Sequence, residues 1–221
     1  MPHYPFLLID YDGTLAETRP AILKSITQAI KEIGHKPPAA NILETHIGQG
    51  GTLREFFRLS VPGGTAEEAD EFARLYRKYY VKADLEDTVL FDNVVSTLEE
   101  LKKQNHQLVV ISNKHAQTLK KGLEHFGITS FFDVVIGAEE DKPRKPDPTV
   151  YTQRLEPLFP HVPLSDMLIV GDTLADLKFA QEINIASCWA AYGHGVTEAC
   201  LALRPNFQIN KFSDLPKLLR S

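Results

Sequence analysis

The amino-acid sequence predicts an α/β protein: a doubly wound parallel-sheet core with a helical insert after the first strand. Three observations predict it. Short apolar runs that each end in a polar cluster recur along the chain. Stretches with helical apolar spacing separate them. One long stretch carries helical patterns and no convincing strand. Runs of three to five apolar residues, flanked by helical patterns and not by hairpin turns, read as strands buried on both faces of a parallel sheet. The expected organisation is a core of residues 1–16 and 86–221 and a helical domain of residues 17–85.

The elements follow in order. Phe6-Leu7-Leu8-Ile9 runs into Asp10 and forms the first strand. In the insert, Ile22, Ile26, Ala29, Ile30 and Ile33 share a helix face between Arg19 and Ile33. Thr18 is its expected cap, Pro20 sits in its first turn and Gly34 stops it. Leu53, Phe56 and Phe57 mark a second helix within Gly50–Leu59. Thr65 and Glu68 form a capping box before Phe72, Leu75, Tyr76 and Tyr79. After the insert, Val94, Val95, Leu98 and Leu101 pattern a helix before Leu108-Val109-Val110-Ile111, which runs into Ser112-Asn113. Leu119, Leu123 and Phe126 follow, with Gly127 as the stop. Val134-Val135-Ile136 and Leu168-Ile169-Val170 are two more strands, the latter followed by Leu174, Leu177 and Ala180. A weaker strand spans Ile185–Trp189, and Phe207–Asn210 reads as a last edge strand before a short helix.

The composition is that of a globular chain: 221 residues, 43% hydrophobic and 24% charged. A net charge of −5 without a Lys/Arg run gives nucleic acid no electrostatic footprint. Small anions need only local positive charge and stay open as partners. No apolar run reaches the roughly 18 residues that a membrane span needs. The opening residues show no basic region followed by an apolar core, so a cytoplasmic protein without a secretory signal is expected. Cys188 and Cys200 are too few for a disulfide framework and read as reduced thiols.

In a parallel sheet, ligands bind beyond the carboxyl ends of the strands. Four polar clusters fall there: Asp10-Tyr11-Asp12-Gly13-Thr14, Ser112-Asn113, Lys145, and Gly171-Asp172-Thr173-Leu174-Ala175-Asp176. Each alone has an ordinary explanation, such as a helix cap or a solvated loop lysine. An ordered set at successive strand ends carries more weight.

The set Asp-x-Asp-Gly-Thr, Ser-Asn, Lys-Pro-Asp-Pro and Gly-Asp-x-x-x-Asp resembles the four motifs of the haloacid dehalogenase superfamily. With a helical insert after the first motif, the chain resembles its phosphoglycolate phosphatase-like branch. The resemblance covers residues 10–15, 112–114, 145–148 and 171–176, with the insert where that family places its cap. It implies a phosphatase that acts on a small phosphate monoester, similar to phosphoglycolate, through an aspartyl-phosphate. It implies Asp10 as nucleophile and Asp12 as general acid and base. Gly13 and Thr14 would shape a turn whose N–H groups approach the phosphate. Ser112 would offer a hydroxyl to a phosphoryl oxygen, and Asn113 and Lys114 would add amides at a helix N-terminus. Lys145 would neutralise charge on the nucleophile and the transferring group. It is preferred to Lys142, which also precedes a proline, because Lys145 matches the Lys-Pro-x-Pro form.

Clustered carboxylates around a phosphate call for a hard cation, and Mg2+ fits that chemistry. The expected ligands are the carboxylates of Asp10 and Asp172 and the backbone carbonyl of Asp12, with Asp176 as a ligand or beside one. In the insert, His46–Arg54 is the stretch expected to select the substrate, with Arg54 as a fork for a substrate carboxylate. An exposed helix arginine and a packed His46 are the plainer readings of those two residues. Tyr11 is expected to line the pocket. Glu17 stands where close relatives often carry Asp, and Ala191-Tyr192-Gly193-His194-Gly195 resembles a late family loop with no evident role.

The rival readings are a sugar phosphomutase of the β-phosphoglucomutase type, a pyrophosphatase or nucleotidase, and a non-enzymatic phospho-accepting regulatory domain. Steady phosphate release from a model ester separates an enzyme from the regulatory domain, and release of inorganic phosphate in place of interconverted phosphosugars separates a hydrolase from a mutase. The expected partner is a small phosphorylated metabolite, with no nucleic acid or membrane, and the protein is expected as a monomer or homodimer.

Overall fold

The structure, a computed structural model, describes residues 4–220. The chain divides into two compact units, one joining the residues up to Glu17 with those from Leu90 onward, the other Thr18–Val89. In chain order the elements are β1 (Phe6–Ile9), β2 (Ala16–Glu17), α1 (Arg19–Glu32), α2 (Ala40–Gly48), α3 (Leu53–Ser60), α4 (Ala66–Asp87), β3 (Val89–Leu90) and α5 (Val94–Lys103). They continue with β4 (Gln107–His115), α6 (Ala116–His125), β5 (Val134–Ala138), β6 (Met167–Gly171), α7 (Leu174–Glu182), β7 (Ala186–Ala190), α8 (Thr197–Ala202), β8 (Phe207–Ile209) and α9 (Leu215–Arg220).

The first unit is a six-stranded Rossmann-like sheet in the order β5-β4-β1-β6-β7-β8. Every pairing is parallel. Phe6–Ile9 lie opposite Gln107–Val110 on one side and Met167–Val170 on the other. Side chains alternate across a pleated strand, so each run feeds two cores. Leu7, Ile9, Leu108, Val110, Leu168 and Val170 pack with Leu98 and Leu101 of α5 and Leu119 and Leu123 of α6. Phe6, Leu8, Val109, Ile111, Met167 and Ile169 pack on the other face with Phe179 and Ala180 of α7. This is the doubly wound arrangement that the alternating pattern predicts.

Within this unit, the readings of Val95 and of the residues after Ile111 change. Val95 does not join the apolar face of α5; it is exposed, while Val94, Thr97, Leu98 and Leu101 are buried. The polar residues after Ile111 do not begin a helix. β4 continues through Ser112, Asn113, Lys114 and His115 with a register break, and α6 starts only at Ala116.

The helical unit has its own core. Ile26, Ala29 and Ile30 of α1 meet Leu43, Phe56, Phe57, Phe72 and Leu75. Capping boxes start α3 at Thr52–Glu55 and α4 at Thr65–Glu68. Thr18 holds the cap position of α1, but its buried hydroxyl makes no capping bond. Helix α2 has no strong signal in the sequence, because Asn, Thr and His are weak helix formers. Leu43 and Ile47, four residues apart, dock it on the core. Helix α4 runs to Asp87, past the expected boundary at residue 85. Among the described residues, no helix is long and apolar enough to cross a membrane.

Candidate active site

Strand order reverses at the centre of the sheet. From β1 the chain builds outward through β4 to β5, then returns to place β6 on the other side of β1. Such a switch point opens a crevice at the carboxyl ends of the strands. Asp10, immediately after β1, and Asp172, immediately after β6, stand across it.

The turn after β1 is closed by its own backbone. Leu15 and Ala16 donate their N–H groups to the Tyr11 carbonyl at 3.0 Å each, and Gly13 donates to the Ala16 carbonyl at 2.8 Å. Thr14 N–H also donates to Tyr11, at 3.3 Å. The N–H groups of Gly13 and Thr14 are therefore spent inside the turn that these two residues are expected to shape. Gly13 has φ +81°, and a Cβ there would collide with the Asp172 carboxylate. The Thr14 hydroxyl donates to Asp172 Oδ1 at 3.3 Å. Tyr11 does not line the pocket either: its ring lies wholly in the core, with its hydroxyl against Gly122.

Lys145 is buried and gives its ammonium to three acceptors: Asp10 Oδ1 at 2.8 Å, Asp176 Oδ1 at 2.5 Å and the Ile111 carbonyl at 2.6 Å. Its own carbonyl accepts from the Asn113 side-chain amide at 2.8 Å, and the following bond to Pro146 is cis. Asn113 thus holds the lysine loop; it stands in the irregular end of β4, not in a helix N-terminus. Lys142 lies outside, half exposed and paired with Glu139 at 2.8 Å. Asp176 serves two purposes. Its Oδ2 caps α7 by accepting from the Thr173 N–H at 3.0 Å and hydroxyl at 2.9 Å, while Oδ1 meets Lys145.

Ligand atoms of Asp10, Asp172 and Asp176 lie within 4.8 Å of one another. Burial, with repulsion from Asp176 and Asp172, outweighs Lys145 and pushes the Asp10 carboxyl up to about 8. Burial and Asp176 likewise push Asp172 up to about 6, against the pull of His194. Burial alone would lower the Lys145 ammonium; Asp10 and Asp176 reverse that and hold it above its usual value. Once ionised, three buried carboxylates carry more charge than one buried ammonium can balance. A divalent cation with hard oxygen preference fits that donor set. The Asp12 carboxylate is not part of this group. It turns instead to the Lys114 ammonium, 3.1 Å away. Ser112, at the same strand end, is buried and accepts the Lys114 N–H at 3.3 Å.

The structure also assigns a place to residues whose role the sequence left open. The loop after β7 wraps Asp172. His194 N–H donates to Asp172 Oδ2 at 2.6 Å, and Trp189 Nε1 donates to the Asp172 carbonyl at 3.0 Å. Tyr192 OH donates to the Thr14 carbonyl at 2.7 Å, and the His194 ring meets Glu17 at 2.7 Å. A Cβ at Gly193 or Gly195 would collide with Asp172. The Tyr-Gly-His-Gly pattern was the only signal of this, and only the sheet brings it beside Asp172. Arg54 lies in the other unit, exposed on α3. His46 packs edge-on against Phe56 at 4.7 Å, as the plainer reading of it expects.

The chain is similar to known proteins over nearly its whole length. The profile of the haloacid dehalogenase-like hydrolases matches residues 7–190. A phosphoglycolate phosphatase of Aquifex aeolicus is 28% identical over 219 residues, covering 96% of this chain and 95% of its own length. The pyrophosphatase PpaX of Bacillus velezensis is 30% identical over 210 residues, covering 95% of this chain and 93% of its own. A predicted phosphoglycolate phosphatase from Haemophilus somnus superposes with a TM-score of 0.88 at 26% identity, covering 97% of each chain.

Proposed function

This chain belongs to the haloacid dehalogenase-like hydrolases, and from that premise we propose that it is a Mg2+-dependent phosphatase that cleaves a small phosphate monoester through an aspartyl-phosphate on Asp10. The observation that carries this reading is the Asp10 carboxylate, bonded to Lys145 and grouped with Asp172 and Asp176 at the switch point of the sheet. The carboxylates of Asp10, Asp172 and Asp176 and the carbonyl of Asp12 are the groups proposed to hold the cation. When bound, the cation supplies charge neutralisation for the phosphoryl oxygens.

The chain's own residues do the rest. An Asp10 carboxylate oxygen forms a bond to phosphorus as the ester P–O bond breaks. The departing alcohol oxygen takes a proton from Asp12, a transfer worth ~10²–10⁴ in rate. A water oxygen then attacks the same phosphorus and gives its proton to Asp12, while the bond to Asp10 breaks and inorganic phosphate leaves. Lys145, fixed by its three acceptors, steadies the charge on Asp10 and on the transferring group. The hydroxyl of Ser112 is proposed to donate to a phosphoryl oxygen. The helical unit Thr18–Val89 is proposed as the cap, with Arg54 as the residue that favours a substrate carboxylate.

Phosphoglycolate and pyrophosphate are the two first substrates to test, since relatives of both names match this chain to similar extents. The experiment is phosphate release from phosphoglycolate, hexose phosphates, nucleotides and pyrophosphate, with Mg2+ or with a chelator. Asp10→Asn is expected to remove turnover in a folded protein. Metal-dependent turnover by that folded variant would overturn the covalent route.

A further inference from the structure

Resting on the phosphatase reading, we propose that Lys114 is a positioning residue for Asp12: its ammonium fixes Oδ1, so that Oδ2 is the oxygen that exchanges protons with the leaving alcohol and with water. The sequence places an amide of Lys114 near the phosphate; the structure gives its side chain a different task.

Beyond the register break, β4 still alternates, leaving Asn113 and His115 exposed and Lys114 buried between them. The Lys114 side chain is 2% exposed, against 23% for the Asp12 side chain it meets at 3.1 Å. The ammonium also lies 5.2 Å from the centre of the buried Tyr11 ring, on the π face that attracts a cation. Tyr11 is itself held by the core and by Gly122, so it is a fixed platform. A buried ammonium needs compensation, and here a carboxylate and a ring supply it. Lys145 is committed to Asp10 and Asp176. Two aspartates two residues apart are thus served by two different lysines, one at the nucleophile and one at the proton carrier.

The proton inventory is simple. In the first half-reaction the proton on Asp12 Oδ2 moves to the alcohol oxygen as the ester bond breaks. In the second, a water proton returns to Oδ2 as phosphorus leaves Asp10. Lys114 keeps its own protons throughout and acts only by holding the other oxygen.

The test is kcat/KM across esters of graded leaving ability: 2,4-dinitrophenyl, p-nitrophenyl and phenyl phosphate, then glycerol phosphate. A good leaving group needs no proton, so only the alkyl ester should feel a misaligned Asp12. Lys114→Met is expected to lower kcat/KM at least ~10-fold for glycerol phosphate and under ~3-fold for the dinitrophenyl ester, within the usual span of proton-transfer effects. Asp12→Asn is measured beside it. In the Asp12→Asn background, Lys114→Met should cost nothing further if the lysine acts through the aspartate. Equal losses for all esters, or losses that multiply in the double variant, would overturn the proposal in favour of a lysine that grips the phosphoryl group directly. Lys114→Gln repeats the series with a polar side chain, and circular dichroism shows that each variant is folded. A wild-type protein inert toward every ester would instead overturn the phosphatase reading, and this role with it.

Discussion

Lys142 and Lys145 are three residues apart, both precede proline, and differ in everything that matters. One ammonium is in solvent beside Glu139; the other is buried against Asp10, Asp176 and a carbonyl. Electrostatic stabilisation is strong where water is excluded and weak where it is not. Lys145→Ala is therefore expected to lower kcat by ~10²–10³, the usual cost of one stabilising donor. Lys142→Ala should stay within about twofold, as surface ion pairs contribute little. Steady-state kinetics on one ester compares them, and similar losses would refute the assignment. Arg54, exposed on α3, is tested by selectivity. Arg54→Ala should lower the preference for phosphoglycolate over a neutral alkyl phosphate; an unchanged ratio removes the residue from the substrate site.

At the scale of elements, the site is a set of strand ends held together by loops that belong to other strands. Asp172 receives donors from the loop after β1 and from the loop after β7, and both loops use glycine to come close. Gly195 faces the Asp172 carbonyl so closely that a methyl group cannot fit without a backbone shift. Gly195→Ala is expected to destabilise the fold by about 1–3 kcal/mol, the range for overpacking. It should also weaken Mg2+ binding, because Asp172 moves with its carbonyl. Chemical denaturation and calorimetric Mg2+ titration read the two effects; unchanged Mg2+ affinity would separate the loop from the cation. The same logic applies to the end of β4, where Ser112 and Lys114 are buried at the register break.

For the whole molecule, the carboxylate cluster is expected to couple stability to pH and to the proposed cation. Asp10 and Asp172 have folded values of about 8 and about 6, above the ordinary 3.8. Their raised values mean that the folded state keeps protons the unfolded chain has released. The stability they contribute is complete below the ordinary carboxylate value and declines as pH rises toward the folded values. The metal-free protein should therefore lose thermal stability from about pH 4 to about pH 8. Added Mg2+ takes the place of those protons, so the Tm gain from Mg2+ should grow over the same window. Scanning calorimetry with a chelator and with Mg2+ checks this. A Tm gain independent of pH would show that the cation does not displace protons from these carboxylates.

Strand positions, the helical stretch after β1, and the identities of Asp10, Lys145 and Asp172 are legible in the sequence. Each depends on local signals: apolar runs, caps, and motifs a few residues long. What Thr14, Asn113 and Lys114 do is not legible, because it depends on which backbone groups a turn consumes and on where a strand breaks register. Helix α2 was hidden for a related reason, since its weak local propensity is overridden by docking of Leu43 and Ile47. The sequence by itself determined which residues stand at the ends of which strands. Only the tertiary structure decided their partners, because strand order and close packing, not separation along the chain, bring Asp172 to His194 and Asp12 to Lys114.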